Sequence, residues 1–311
     1  MKKVKLFIGT ILYCYSVVGY GQQDAQYTQY MYNTININPA YAGSRGRVNI
    51  FGLHRAQWIG LDGAPVTNIM SIDSPINSKL GIGLSLINDN IGPMIDNSIS
   101  ADISYSIQTS FYYKLSFGIK GTANLLDVDF TKLNIYDVGD PRFQSNIDHK
   151  FSPNLGAGIY FYSAKSYIGF SLPQMLEIEH FDKSAKEESA SYIIKERMHY
   201  YLMAGYVFDL DYNLKFKPSF LSKIVKGAPL QTDISANFLY NEKFTAGISY
   251  RWSASVSTLV GFQLSDAWFI GYSYDTEATK LANYNSGSHE IFLRFELFSG
   301  ANSRMISPRF F

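Results

Sequence analysis

Long segments in which apolar and polar side chains alternate are the main feature of the sequence. The clearest covers residues 98–108, where Ile99, Ile103 and Tyr105 alternate with serines and with Asp102. Successive side chains of a β-strand point to opposite faces, so this pattern predicts a strand with one apolar and one polar face. Fourteen candidate strands follow this rule, at residues 47–58, 65–73, 79–88, 97–108, 112–124, 153–162, 166–172, 198–209, 214–222, 230–240, 243–252, 255–264, 267–275 and 288–298.

The length of these strands and the order of their connections favour a membrane barrel over a soluble sandwich. Most have about nine to thirteen residues, which a tilted strand needs to cross a bilayer, whereas soluble strands have about five or six. Tight turns alternate with longer connections, among them Asp89–Asp96, Leu125–Ser152 and Pro173–Arg197. Outer-membrane barrels combine short periplasmic turns with long extracellular loops. The sequence therefore predicts an all-β fold, a transmembrane antiparallel β-barrel of about 14 strands.

Composition agrees with a membrane barrel. Aromatic residues make up 16% of the chain and charged residues only 17%, and aromatic girdles are typical of transmembrane barrels. We expect aromatic strand ends such as Tyr160, Tyr162, Tyr201, Trp252 and Trp268 to anchor the barrel at the membrane interfaces. A charge facing the lipid midplane costs about 2–4 kcal/mol. The alternation accordingly places one set of charges on the inner face: Asp102, Lys114, Lys120, Lys215, Lys217, Lys223, Asp233, Arg251, Glu290, Arg294 and Glu296.

The first 21 residues predict export. Three lysines precede an apolar run from Leu6 to Val18, and Gly19-Tyr20-Gly21 follows as a small-x-small cleavage site, which predicts a signal peptide at residues 1–21. The only cysteine, Cys14, lies inside it, so the mature chain is expected to have no disulfide. The remaining organisation is an N-terminal periplasmic or plug segment at 22–46, a barrel at 47–298 and a periplasmic C-terminal tail at 299–311.

Neither catalysis nor nucleic-acid binding is predicted. The net charge of +1 gives no basic footprint for a nucleic acid. His54, His199 and His289 lie on predicted strands among apolar neighbours, while His149 and His180 lie in loops without a partner at metal-ligand spacing.

A calcium site is an alternative for two pairs of acidic residues in the longest loop. Asp127 with Asp129, and Asp137 with Asp140, supply oxygen ligands, but neither pair has the full pattern of a calcium loop. We interpret them as solvated loop charges. No catalytic residue, metal ligand or cofactor is therefore predicted.

Five short motifs occur in order along the chain. They are Tyr27–Asn33 (Tyr-Thr-Gln-Tyr-Met-Tyr-Asn), Asn38–Ser44 (Asn-Pro-Ala-Tyr-Ala-Gly-Ser), Arg55–Trp58 (Arg-Ala-Gln-Trp), Asp62–Pro65 (Asp-Gly-Ala-Pro) and Ser307–Phe311 (Ser-Pro-Arg-Phe-Phe). In these motifs the chain resembles the PorP/SprF family, outer-membrane proteins of the Bacteroidetes type IX secretion system. The candidate site residues are Tyr27, Gln29, Tyr30, Asn33, Asn38, Pro39, Tyr41, Gly43, Arg55, Trp58, Gly63 and Pro65, with Pro308, Arg309 and Phe310 at the C-terminus.

The resemblance implies a non-enzymatic barrel in the outer membrane that takes part in protein export. Its implied partner is a large exported surface protein, such as a gliding adhesin, which it helps to secrete or to attach through the partner's C-terminal domain. Periplasmic components of the secretion system and membrane lipids are further expected partners. The alternative function is an outer-membrane channel or transporter for small or hydrophobic substrates.

The motifs before the first strand predict a plug. Disordered segments are poor in aromatic residues, so the aromatic side chains of Tyr27–Ser44 are not expected in a free linker. We expect this stretch to fold back into the periplasmic half of the lumen, with turns at Asn38-Pro39 and Gly43. Arg55 and Trp58 are expected near the top of the first strand, and Asp62–Pro65 in the first surface turn.

Overall fold

The computed structural model describes residues 27–133, 146–181, 192–225 and 228–297. These residues are almost entirely β-structure. The strands are β1 (Val48–Ala56), β2 (Val66–Pro75), β3 (Leu80–Ile91), β4 (Met94–Gln108), β5 (Lys114–Val128), β6 (Ile147–Tyr162), β7 (Ser166–Leu172), β8 (Ile178–Phe181), β9 (Tyr192–Glu196), β10 (His199–Tyr206), β11 (Phe208–Asp211), β12 (Leu214–Val225), β13 (Gln231–Tyr240), β14 (Phe244–Arg251), β15 (Ser255–Gln263), β16 (Trp268–Glu277) and β17 (Ser288–Leu297).

The sheet closes on itself. Strands β1 to β7 pair with their neighbours in chain order, β12 to β17 do the same, and all pairs are antiparallel. β10 bridges β7 and β12, β11 continues the course of β10, and the first strand pairs with the last from Val48↔Leu297 to Ala56↔His289. The result is a closed barrel of 14 strands, which confirms the predicted fold class. In the described ranges no helix has the length and apolar character to span a membrane.

Side-chain alternation gives the barrel wall its two faces. On β4, Ile99 and Ile103 are 54% and 52% exposed on the outside, whereas the intervening Asp102 is 1% exposed on the inside. The inward charges include Lys120, Lys217, Glu290 and Arg294, all of which are buried. Lipid cannot solvate these charged groups. They occur at the alternate strand positions that face the lumen.

Some strands are longer than predicted, and one predicted loop is absent. β3 continues to Ile91 and β4 begins at Met94, so residues 89–96 form a tight hairpin around Gly92-Pro93 rather than a long loop. β5 and β6 also pair as far as Val128 and Ile147, which shortens the predicted loop 125–152. Polar side chains at these strand ends interrupt the alternation of apolar and polar residues, so the sequence did not indicate strand there. The backbone hydrogen bonds between the strands nevertheless continue. The loop that follows β7 contains the β8–β9 hairpin, a sheet of its own.

Three of the predicted interface aromatics face the other way. Tyr160, Tyr162 and Tyr201 are 4%, 4% and 8% exposed and point into the lumen. The ring of Tyr160 packs against the ring of Tyr41 at a centroid distance of 5.6 Å. The anchoring prediction was therefore wrong for these three, because their aromatic surface covers a chain segment inside the barrel. Trp252 and Trp268 are 65% and 41% exposed on the outside.

Candidate functional site

The residues that precede β1 lie inside the barrel. This N-terminal segment (residues 27–47) consists of a 3₁₀ turn at Tyr30–Tyr32, a single helical turn α1 (Thr34–Ile37) and a second 3₁₀ turn at Pro39–Tyr41. Asn38 starts the last turn, because its side-chain oxygen accepts a hydrogen bond from the backbone N–H of Ala40 at 3.0 Å. Gly43 (φ +69°) then reverses the chain towards β1.

One end of the segment is bound by a buried charge cluster of β1, β16 and β17. Arg55 Nη2 lies 2.7 Å from Asp275 Oδ2, and Arg55 Nη1 lies 2.9 Å from Glu290 Oε2. Glu290 also accepts the backbone N–H groups of Thr28 and Gln29 at 3.1 and 2.9 Å. The Thr28 hydroxyl donates to Asp275 at 2.7 Å. The cluster thus pairs its own charges, and the Glu290 carboxylate also binds the backbone of the segment.

A second cluster binds the other end of the segment. Arg45 Nε donates to Glu296 Oε1 at 2.9 Å, and Arg47 Nη1 lies 3.3 Å from Glu296 Oε2. Asp73 accepts the backbone N–H of Gly43 at 3.0 Å and the side-chain amide of Asn49 at 2.7 Å.

Between the two clusters, polar side chains of the wall satisfy the segment's backbone carbonyls. Lys120 Nζ donates to the carbonyl oxygens of Ile35 and Asn36 at 3.2 and 3.3 Å. The same role is filled by two wall hydroxyls, with Ser171 donating to Ile37 O at 2.8 Å and Ser104 donating to Ala42 O at 2.7 Å. The segment also donates to the wall, because the side-chain amide of Asn38 donates to the backbone carbonyl of Ile159 on β6 at 3.0 Å. A buried backbone group without a partner is costly, so these contacts specify one path for the chain.

Glycines of the wall make room for the segment. A Cβ atom on Gly118 of β5 would lie 2.5 Å from the Ala40 Cα. One on Gly158 would overlap the Asn38 side chain, and one on Gly81 would overlap the Ala42 carbonyl. Glycine at these inward positions allows backbone to approach backbone.

Aromatic packing fills the remaining volume around the segment. The Tyr32 ring lies 5.3 Å from the Phe269 ring and 4.7 Å from the Phe292 ring, with the Arg294 guanidinium 5.6 Å from its centroid. Inward-facing wall residues such as Phe51 are fully buried. The segment and the wall therefore share one packed core.

The structure brings most of the predicted site residues together. Tyr30, Asn33, Asn38, Pro39 and Tyr41 are buried in the lumen with Arg55. The segment reaches further than expected: it extends beyond the periplasmic half to the opposite ends of β1, β16 and β17.

The motif residues that follow β1 lie outside the lumen. Trp58 follows β1 and donates its indole N–H to Glu277 at 2.8 Å. Gly63 O accepts the N–H of Gly92, and Pro65 O accepts that of Gln57, both at 2.9 Å. Residues 1–21 and the C-terminal Pro308, Arg309 and Phe310 lie outside the described residues.

Sequence reasoning did not recognise the acidic partners of the motif residues as part of a site. Asp275 and Glu290 pair with Arg55, and Glu296 pairs with Arg45. Carboxylates at inward positions of the last two strands were a visible signal, because β16 and β17 close the barrel next to β1. The inward glycines Gly118 and Gly158 were a second signal.

The acidic loop residues find protein partners. Asp127 lies 2.8 Å from the His149 ring, and Asp129 accepts the Thr131 hydroxyl at 2.6 Å. The hydrogen bond from Thr131 lowers the pKa of Asp129. Asp137 and Asp140 lie outside the described residues. In the described part of the chain, no three His, Cys, Asp or Glu side chains form a possible metal site.

A closed 14-strand barrel with an apolar outer face and a polar inner face defines an outer-membrane β-barrel. The family model described as "Type IX secretion system membrane protein PorP/SprF" matches residues 19–295, so the chain belongs to the PorP/SprF family. It is a type IX secretion barrel of the outer membrane, as the motifs predicted.

Several solved structures are similar to this chain at low sequence identity. The Ralstonia pickettii toluene transporter TbuX is 8% identical with a TM-score of 0.50, over 84% of this chain and 92% of that one. The monoaromatic hydrocarbon channel CymD is 9% identical (TM-score 0.49, 91% and 95% covered), and Omp33 of Acinetobacter baumannii is 8% identical (TM-score 0.48, 81% and 98% covered). No curated protein matches the sequence.

Proposed function

We propose that this barrel is a non-enzymatic, partner-binding component of type IX secretion. It supports the secretion or the surface attachment of a large exported protein through that protein's C-terminal domain. In this proposal the N-terminal segment is a permanent plug, and the work of the molecule is done at its surfaces rather than by transport through its lumen.

The filled lumen is the observation that supports this proposal over a channel. Within the described residues, the segment is bound to Glu290 at one end and to Glu296 at the other, with Tyr32 packed between them. A 14-strand barrel is wide enough to need such filling or else to leave a passage. Family membership supplies the link to secretion.

Deletion of the gene tests the secretion role. We expect one or a few large surface proteins to be lost from the cell surface, while uptake of small substrates is unchanged. Complementation with the wild-type chain is the control. Normal surface levels of all large exported proteins in the deletion strain would refute the proposal.

Affinity purification in mild detergent tests the partner itself. The wild-type barrel is expected to retain a stoichiometric exported protein, and mass spectrometry should find a C-terminal secretion domain in it. Periplasmic secretion components recovered without any exported protein would instead indicate a role inside the secretion apparatus and would contradict cargo attachment.

A further inference from the structure

A row of hydrogen-bonded polar side chains crosses four neighbouring strands on the outer face of the barrel. Its members are His54 of β1, Asn68 of β2, Asn88 of β3 and Asn97 of β4. Each lies directly opposite the next in the strand register. We name these residues the outer polar row. Adjacent strands lie about 4.8 Å apart, so the row is about 14 Å long.

The side chains of the outer polar row hold one another in place. His54 Nδ1 lies 2.8 Å from Asn68 Oδ1, and the Asn68 amide nitrogen donates to Asn88 Oδ1 at 3.3 Å. Asn88 donates in turn to Asn97 Oδ1 at 2.8 Å, and Asn90 donates a further bond to Asn88 at 3.2 Å. Within the described residues, the Asn97 amide nitrogen and His54 Nε2 have no protein partner. Side chains fixed in this way lose little conformational freedom when a ligand binds.

The outer polar row lies close to the extracellular edge of the barrel wall. Short turns of outer-membrane barrels face the periplasm, and the short β2–β3 turn is at the other end of these strands. His54 is two residues from the end of β1 at Ala56, and Asn88 is three residues from the end of β3 at Ile91. These separations correspond to about 7 and 10 Å along a strand. The row is therefore at the level of the lipid headgroups of the outer leaflet.

Towards the periplasm, the outward side chains of β2, β3 and β4 become apolar. Met70, Leu86 and Ile99 lie opposite one another in the next row, and they are 57%, 48% and 54% exposed. The row after it contains Ile72 and Leu84, which are also exposed. Acyl chains cover these apolar rows in the membrane, and the headgroup of the same lipid reaches the outer polar row. The occupant that this face fits is therefore an amphiphile.

The chemistry of the outer polar row favours a headgroup rich in hydroxyl groups. Asparagine amides are uncharged and offer both donors and an acceptor, which is what sugar hydroxyls require. Phosphate groups are bound by Arg and Lys, and the row contains neither. We propose that the outer polar row binds the sugar headgroup of an outer-leaflet glycolipid. This proposal depends on the location of the barrel in the outer membrane and not on its role towards an exported partner.

Native mass spectrometry of the purified barrel with added lipid tests the proposal. Asn68→Leu, Asn88→Leu and Asn97→Leu are combined in one variant, because leucine has nearly the shape of asparagine without its hydrogen-bonding groups. Thr258→Val is the matched control, since Thr258 also faces outward but lies between apolar and aromatic neighbours on β14 and β16. Each protein is freed of bound lipid and titrated with lipopolysaccharide or with phosphatidylglycerol, an anionic lipid without sugar.

We expect the wild type and Thr258→Val to bind lipopolysaccharide equally, and the triple variant to bind it about tenfold more weakly, because several uncharged hydrogen bonds are lost. Phosphatidylglycerol should bind all three proteins to the same extent. The heat-dependent shift in gel mobility checks that each variant is folded.

Unchanged binding of lipopolysaccharide by the triple variant would overturn the proposal. An equal loss of phosphatidylglycerol would also overturn it, because the row would then contact lipid headgroups without selecting sugar. If the triple variant loses only an oligomeric form of the barrel, the row is a contact between protein copies instead. No exported partner is present in these measurements, so their outcome leaves the proposed role in secretion unaffected.

Discussion

Single residues of the wall decide whether the N-terminal segment fits. Gly118 and Gly121 both lie on β5, but Gly118 faces the lumen against Ala40, whereas a Cβ on Gly121 would meet nothing within 4 Å. The backbone of Ala40 cannot move aside, because the neighbouring Asn38 is bound to Ile159 and Ala42 to Ser104. Overpacking of this kind costs about 1–3 kcal/mol.

We therefore predict that Gly118→Ala lowers the temperature at which the folded barrel loses its compact gel mobility, and that it opens residues 27–44 to protease. Gly121→Ala is the matched control and should behave as wild type in both measurements. Equal behaviour of the two variants would mean that the approach of Ala40 to β5 does not constrain the fold.

Sequence reasoning identified Arg55 by its motif and placed Glu290 on the inner face, but it did not pair them. Arg55 was recognised through its motif, but its partners Asp275 and Glu290 lie more than 200 positions away in the chain. Such a pairing follows only from barrel closure, which brings β17 beside β1. Removing one partner of a buried ion pair typically destabilises the fold by about 3–5 kcal/mol. Each member therefore depends on the other for its place in the lumen.

At the scale of elements, the N-terminal segment links the strands at which the barrel closes. It continues directly into β1, and it binds β17 at both Glu290 and Glu296. β1 and β17 pair with each other to close the barrel, and a segment that binds both favours that pairing. The alternation of apolar and polar residues did not predict this arrangement. Alternation identifies each strand separately and gives no information on the contents of the lumen.

The β8–β9 hairpin is the element best placed to act outside the barrel. It forms its own two-stranded sheet in the loop after β7, and the 14 closed strands need none of its hydrogen bonds. Long loops with their own structure usually carry function. We propose that it contributes to partner binding.

Replacing residues 178–196 by a short glycine-serine linker should leave the heat-dependent gel shift of the barrel unchanged and reduce the amount of exported partner recovered with it. A linker of the same composition inserted in the β2–β3 turn at Ser78 is the control and should leave partner recovery intact. Loss of the folded barrel in the hairpin variant would show instead that the loop is part of the barrel's own stability.

At the scale of the whole molecule, the sequence predicted the barrel wall, but it predicted the structure inside the lumen only in part. Period-two alternation located all 14 barrel strands, because lipid on one side and polar groups on the other act on every residue of the wall. The path of the N-terminal segment depends instead on contacts such as Thr28 with Asp275 and Asn38 with Gly158, which have no periodic signature. Aromatic content indicated that the segment is not a free linker, but not that it reaches Glu290 and Asp275.

A filled lumen has a direct electrical consequence. In planar bilayers, we expect the wild-type protein to show no long-lived open state, because the segment occupies the lumen between Glu296 and Glu290 and Tyr32 packs against Phe292 midway. A variant without residues 28–44 removes the contacts of Thr28 with Glu290 and of Tyr32 with Phe292 while keeping Arg45 and the wall, and ions should then pass through the lumen in long-lived openings. Stable openings of equal size in both proteins would favour the channel alternative, since the segment would then not obstruct the passage used.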